Sequence, residues 1–193
     1  YANTKQQRLD QHLFAVGFLA SEIVKRQVPN EENLAKSVFL SGIWHDVGKI
    51  DPAFQNWLSK KLKKKENEDV PEDGQHIEGS SKFSFDKHPR HNEISLLFFH
   101  LFFNSGEINE ESIRRAEHTI FWHHTKPFRK NEIQKLVGIF TLLKDFENNF
   151  SEWTSSLSTI LKDVRNVAVA YSNDDFFCEI DNLKIPEYEI IED

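Results

Sequence analysis

The chain has no methionine, one cysteine, seven glycines and six prolines in 193 residues. A single cysteine, Cys178, cannot form an internal disulfide, so a cross-linked secreted scaffold is excluded and a reducing compartment is permitted. So few glycines and prolines leave little material for the tight turns of a β-sandwich. No apolar run approaches the roughly 18–20 residues that a membrane span requires. The longest, Leu96 to Phe103, is short and is interrupted by His100. The N-terminus is polar and then amphipathic, without the pattern of a secretory leader. These absences lead us to expect a cytoplasmic protein with no membrane partner. The lack of methionine, with Tyr at position 1, leads us to expect a fragment of a longer polypeptide.

What is present favours helices and a packed core. Hydrophobic residues make up 38% of the chain, with 17 Phe and 4 Trp, enough to exclude wholesale disorder. Leu, Lys, Glu and Phe are abundant, which favours helix over strand. The net charge of −7 speaks against a general nucleic-acid coat protein. It leaves a nuclease open, because metal ions and local basic patches offset acidity where a substrate sits.

Periodicity and punctuation divide the chain. Leu9, Leu13, Val16, Ala20 and Ile23 recur at helical spacing, predicting an amphipathic helix over Thr4 to Lys25 that ends before Pro29. Asn30 is a candidate N-cap for a second helix, Glu31 to about Val47, with Gly48 closing it. Asp51-Pro52 has the form of an N-cap followed by proline at the first helical position, opening a third helix to about Lys63. A charged, Gly- and Ser-containing segment at about 64–86 is expected to be a long surface loop. Further helices are expected at His91–Asn104, Asn109 to about His123, Asn131–Asn149 and Glu152 to about Ser172. Residues 176–193 are read as an acidic tail or linker on a single domain spanning 1–193. No internal repeat is present.

Nine histidines are unevenly spread. His12 lies on the apolar stripe of the first helix. His45-Asp46 sits at the end of the second helix, in Gly42-Ile43-Trp44-His45-Asp46-Val47-Gly48-Lys49. His91 opens the fourth helix, and His118, His123 and His124 close the fifth. Imidazole and carboxylate are the ligands that divalent transition metals favour, and one carboxylate can bridge two ions. Each element alone has a blander reading. A lone histidine on an apolar stripe is usually a satisfied core residue, and an isolated His-Asp pair is usually a helix-end hydrogen bond. The ordered co-occurrence of all of them points to a metal site. His76, His88 and His100 lack that support, with His88 the nearest competitor to His91.

The segment Gly42 to Lys49 resembles the signature of the HD phosphohydrolase superfamily. Its continuation is more specific: Phe54-Gln55, then Arg90-His91 with Ser95 one turn later, then Trp122-His123-His124. This ordered set resembles the CRISPR-associated HD nuclease of type I systems, the nuclease part of a helicase-nuclease. The resemblance covers Leu9 to His124 clearly and the remainder loosely. It implies an all-α HD-domain helical bundle and a site with two divalent transition metal ions (Mn, Fe, Ni, Co or Zn, with Mg also admissible). His12, His45 and Asp46 would hold one ion. Asp46 would bridge to a second held by His91, His123 and His124. Lys49 would contact the scissile phosphate, and Ser95 would line the cleft. The family also carries a late Asp after the His-His pair. Here Ala170-Tyr171 stands where Ala-Asp is expected, so Asp174 or, less favoured, Asp175 supplies the carboxylate after a small shift, or the ligand is lost. Asn92 stands where the family often has Glu, which touches an outer-shell contact.

Basic residues can line a substrate path. Lys60 to Lys65 hold five lysines, for which a solvated helix face is an equally good reading. Lys126, Arg129 and Lys130 adjoin the His-His pair and are the better candidates for phosphate contacts, with Trp122, Phe128 or Trp57 available for base stacking. No Gly-x-x-x-x-Gly-Lys-Ser/Thr occurs, so the chain has no ATP-driven motor of its own. The resemblance implies a helicase domain or subunit, single-stranded DNA as substrate and recruitment by a CRISPR surveillance complex. Two readings compete with the nuclease: an HD phosphohydrolase acting on nucleotides or cyclic dinucleotides, and a catalytically inactive docking module.

Overall fold

The computed structural model describes residues 1–3, 5–65, 91–106, 108–124 and 150–177. Among the described residues six α-helices carry the fold: α1 Leu9–Gln27, α2 Glu32–Trp44, α3 Pro52–Lys65, α4 His91–Phe102, α5 Glu110–Trp122 and α6 Phe150–Ser172. A 3₁₀ helix, Val47–Ile50, joins α2 to α3. Among the described residues there is no strand, only an isolated bridge between Phe103 and Phe177. The expected all-α bundle is therefore what forms.

Helix α2 is the central element. Phe39, Leu40, Ser41, Gly42, Ile43 and Trp44 are all buried, which leaves its last two turns without a solvent face. Its serines stay satisfied by donating back along the helix, Ser37 to Asn33 O and Ser41 to Ser37 O, both at 2.7 Å. In one core cluster with it lie Ile94, Phe98, Phe99 and Phe102 of α4, Ala116 and Ile120 of α5, and Leu157, Leu161, Val164 and Ala168 of α6. The spacing of that last set is the i, i+4, i+3 stripe of an amphipathic helix.

The helix starts follow capping chemistry. Asn109 accepts from Ser112 N at 2.8 Å and opens α5. Asp51 accepts from Ala53 N and Phe54 N, each at 3.1 Å, so Asp51-Pro52 opens α3 as its sequence indicates. For α2 the cap position is Glu31 rather than Asn30, without a side-chain hydrogen bond.

Several boundaries differ from expectation. Helix α1 begins at Leu9, and its buried face is Leu9, Leu13, Gly17 and Ser21, while Ile23 is 60% exposed. The reason is a close crossing: a Cβ on Gly42 would lie 2.2 Å from Gly17 Cα, so only hydrogen fits between the two backbones. That contact rotates α1 so that small residues, not Ile23, meet α2. Helix α2 stops at Trp44, ahead of His45-Asp46, and Gly48 does not close it. Helix α3 runs through Lys64 to Lys65, past the expected start of the loop. Phe176 and Phe177 are each 2% exposed, against Phe39 and Trp44 respectively, so the chain is still core where an acidic tail was expected to begin. The rest of the 64–86 loop, the helix at 131–149 and the remainder of the tail lie outside the described residues.

The Gly17–Gly42 crossing gives a direct prediction. Gly42→Ala should destabilise the fold by about 1–3 kcal/mol, the usual cost of overpacking a tight contact. Urea denaturation measures it, and an unchanged midpoint would show that α1 and α2 have room to spare.

Candidate metal centre

Asp46 leaves α2 in a non-helical conformation, φ −115° and ψ 10°, and its side chain is completely buried. The turn aims it at the point where four helix ends meet. His12 comes from the first turns of α1, His45 from the residue capping α2, His91 from the first residue of α4, and His123 from the residue capping α5. Around Asp46 Oδ2 lie His12 Nε2 at 3.0 Å, His45 Nε2 at 3.1 Å and Lys49 Nζ at 2.5 Å. Around Oδ1 lie His91 Nε2 at 3.2 Å and His123 Nε2 at 3.4 Å. His124 Nε2 approaches His91 Nε2 to 2.5 Å.

Backbone carbonyls at the helix ends fix the rings. His45 Nδ1 donates to Gly42 O and His123 Nδ1 to Ile120 O, both at 2.7 Å. Each of these carbonyls belongs to the last turn of a helix, where a carbonyl otherwise lacks a partner. With Nδ1 carrying the hydrogen, a neutral ring presents its Nε2 lone pair to the cluster, which is how ligating histidines are commonly held. A second glycine permits the convergence. A Cβ on Gly48 would lie 2.1 Å from His91 O, so the 3₁₀ helix touches the start of α4 only because residue 48 has no side chain. Gly48 N then donates to Ser95 Oγ at 2.8 Å. Asn92, 1% exposed, donates to Phe121 O at 2.6 Å and ties α4 to the end of α5.

The ligand atoms form two groups sharing Asp46: His12, His45 and Asp46, and Asp46, His91, His123 and His124. Within each group they lie within 4.8 Å of one another. Asp46 Oδ1 and His123 Nε2 are buried without a hydrogen-bond partner. A lone pair facing a carboxylate oxygen is repulsive, so a proton or a cation must stand between them. Unpartnered buried polar atoms of this kind are rare in proteins. The donor set therefore fits one or more divalent cations: neutral imidazole and carboxylate oxygen, with no thiolate.

Electrostatics point the same way. Burial opposes ionisation of Asp46, but the imidazoles packed around it, His45 first and then His12 and His123, outweigh it and hold the carboxyl well below its ordinary range. Burial pushes His91 down to about 4, with Asp46 opposing that shift only in part. At neutral pH His91 is thus an uncharged imidazole, the form that binds metal.

The structure does not bring every expected residue here. Asp174 pairs with Lys36 at 3.2 Å and Asp175 with Arg165, and neither joins the cluster. Asn173, at φ 61°, turns the chain just after α6 ends, so the acidic pair lies along α2 and α6 rather than at Asp46. Asp174 is not among the residues the structure gathers around Asp46. Lys49 is 5% exposed and rests on Asp46. Ser95 is fully buried under Gly48 and supports the turn rather than lining an open cleft. His100 faces Glu117 at 3.6 Å, and His118 stands beside Trp122; neither is in the cluster. Trp122 is 38% exposed at the end of α5. His88, Lys126, Phe128, Arg129 and Lys130 lie outside the described residues.

The sequence matches the family described as "Cas3, HD domain" over residues 4–180. The chain belongs to that family. No curated protein and no solved structure matches it. As a Cas3 HD domain it is a CRISPR-associated hydrolase of the metal-dependent nuclease class. Among the described residues no helix is long and apolar enough to cross a membrane.

The depressed His91 value sets a pH window for the metal-free Cas3 HD domain. Its folded value lies near 4 and its ordinary value near 6.5. As pH falls from 6.5 towards 4, the unfolded chain takes up a proton on His91 that the folded chain refuses, so stability is lost across that interval. The loss from this one group is on the order of 3 kcal/mol. His91→Asn should flatten the fall between pH 6.5 and 4 in chemical denaturation of metal-free protein. Parallel curves for the two proteins would refute a neutral buried His91.

Proposed function

We propose that this Cas3 HD domain hydrolyses phosphodiester bonds of single-stranded DNA with two divalent transition metal ions, Mn, Fe, Ni, Co, Zn or Mg. The observation that carries the reading is the division of Asp46: one carboxylate oxygen faces His12 and His45, the other His91 and His123. His12, His45 and Asp46 would hold one ion; Asp46, His91, His123 and His124 would hold the other. When bound, such a pair supplies positive charge for phosphate oxygens and lowers the pKa of a coordinated water.

The chain's own residues do the rest. Asp46 would be shared by the two ions, and its depressed pKa keeps it an acceptor at neutral pH. Gly42 O and Ile120 O hold the His45 and His123 rings in the ligating tautomer. Lys49 places an ammonium at the bridging carboxylate, within reach of charge developing on a phosphate. Ser95 positions through Gly48 N. Lys126, Arg129 and Lys130, next along the chain from His124, would guide the phosphates of the strand, and the exposed Trp122 would be available for base stacking. A helicase domain or subunit would deliver the strand, and a CRISPR surveillance complex would recruit both, within the cytoplasm.

Incubation with Mn²⁺ and circular single-stranded DNA, and separately with nucleoside triphosphates and cyclic dinucleotides, tests the substrate. Scission of the circle is expected; phosphate release without scission would make the domain a nucleotide phosphohydrolase. The displacement of Asp174 favours a second reading, an inactive docking module. Elemental analysis separates the two, because the docking module retains no metal. Asp46→Ala should abolish metal retention and lower cleavage more than ~100-fold, beyond the 10–100-fold typical of a residue that only orients a ligand. Full cleavage by Asp46→Ala would overturn the bridging role.

A further inference from the structure

The two halves of the cluster are not equivalent. Asp46 Oδ1, between His91 and His123, is buried without a hydrogen-bond partner. Asp46 Oδ2, which belongs with His12 and His45, receives the Lys49 ammonium at 2.5 Å, and Lys49 is itself only 5% exposed. The Oδ1 side has three imidazoles to offer and the Oδ2 side two. One side is thus an open, better-furnished cation site, and the other already contains a cation, the chain's own.

Lys49 is held in that position. It lies in the 3₁₀ helix three residues after Asp46, and its N–H donates to Asp46 O at 2.9 Å. Its carbonyl accepts from Gln55 Nε2 at 2.5 Å, which pins the backbone to α3. The ammonium therefore reaches the Oδ2 oxygen from a rigid base. A divalent ion bound there would place at least two further positive charges within a few Å of the ammonium, in an interior where screening is weak.

We propose that Lys49 is a built-in competitor for the ion held by His12, His45 and Asp46, so that the two sites fill in order, the His91–His123–His124 side first. This rests on the two-cation reading above and deepens it. The ammonium keeps the buried carboxylate compensated before the second ion arrives, which spares the metal-free fold an unpaired buried charge. Entry of the second ion requires Lys49 to swing off Oδ2. An anion that attracts the ammonium, such as a phosphodiester of the bound strand, draws it off. Second-site loading and substrate binding therefore assist each other.

Calorimetric titration of the metal-free protein with Mn²⁺ tests this without reference to activity. Wild type should show one tight event and one at least tenfold weaker. Lys49→Met should tighten the weaker event at least tenfold and leave the tight one within twofold. Lys49→Arg, which keeps the charge, should preserve the gap. His124→Ala should weaken the tight event and His12→Ala the weak one. If loss of the ammonium prevents Lys49→Met from folding, Lys49→Gln, which keeps a hydrogen bond to Asp46 without the charge, takes its place with the same expectation. Binding of a single ion, or none, overturns the two-cation reading and this inference with it. Two ions of equal affinity in wild type, or a weaker event unmoved by Lys49→Met or Lys49→Gln, overturns the competition alone. A second melting measurement guards against indirect effects: the variant without the ammonium should melt lower than wild type without Mn²⁺ and gain more from its addition.

Discussion

A carboxylate with no solvent exposure is the constraint on which the rest of this structure depends. An ionised Asp46 in an apolar interior is untenable unless opposite charge or strong donors surround it. The chain meets that demand from four directions, and the demand explains why the surrounding groups come from helix ends. A histidine at the end of a helix can donate Nδ1–H to the carbonyl three residues back, as His45 and His123 do. That single bond satisfies a carbonyl orphaned by helix termination and points the other nitrogen outward. His91 stands at the opposite kind of terminus, the start of α4, where the helix dipole disfavours a proton on the ring. Burial pushes in the same direction, so this imidazole stays neutral where a ligand must be neutral.

Convergence of this kind needs backbones closer than side chains ordinarily allow. Two glycines permit it, and neither is needed for conformational freedom, since neither has a positive φ. Gly42 lets α1 approach α2, which carries His12 up to Asp46. Gly48 lets the 3₁₀ helix approach His91 O, which carries Asp46 and Lys49 up to α4. The aromatic core has a complementary task. Trp44 is packed edge-on against Phe99 and stacked on Phe177, immediately before His45 in the chain. The residue that precedes the cluster is thus clamped by large rings, while the residues within it are positioned by small ones.

Much of this was legible in the sequence, but unevenly. The candidate ligands His12, His45, Asp46, His91, His123 and His124 could be named because their order and neighbours form a pattern, and the structure gathers all six. Periodicity placed the described helices to within a few residues at most of their ends. What it could not give was the rotation of each helix about its axis. Ile23 fits the apolar stripe of α1 yet faces outward, because the contact between Gly17 and Gly42 outranks the stripe. Composition misled at 176: acidic residues are frequent from there to the C-terminus, but Phe176 and Phe177 fall into the core. Asp174 stands apart from the cluster for a geometric reason, since the chain turns at Asn173 and the carboxylate pairs with Lys36. The place of Lys49 was hidden as well. The resemblance implies a contact with the scissile phosphate, whereas the 3₁₀ helix that follows Asp46 lays the lysine on the carboxylate itself.

That fold-back bears on how an acidic chain could handle DNA at all. With a net charge of −7, the protein as a whole repels a polyanion. In the metal-free cluster Asp46 and Lys49 cancel, so the site offers a phosphate little attraction of its own. On the two-cation reading each bound ion adds two positive charges where only one carboxylate answers them, and the site turns strongly cationic while the chain as a whole keeps its negative net charge. Affinity for the strand would then follow metal loading rather than the chain's own charge. A buried lysine that lowers occupancy of one site in the absence of substrate would keep this cationic state from persisting when no strand is present.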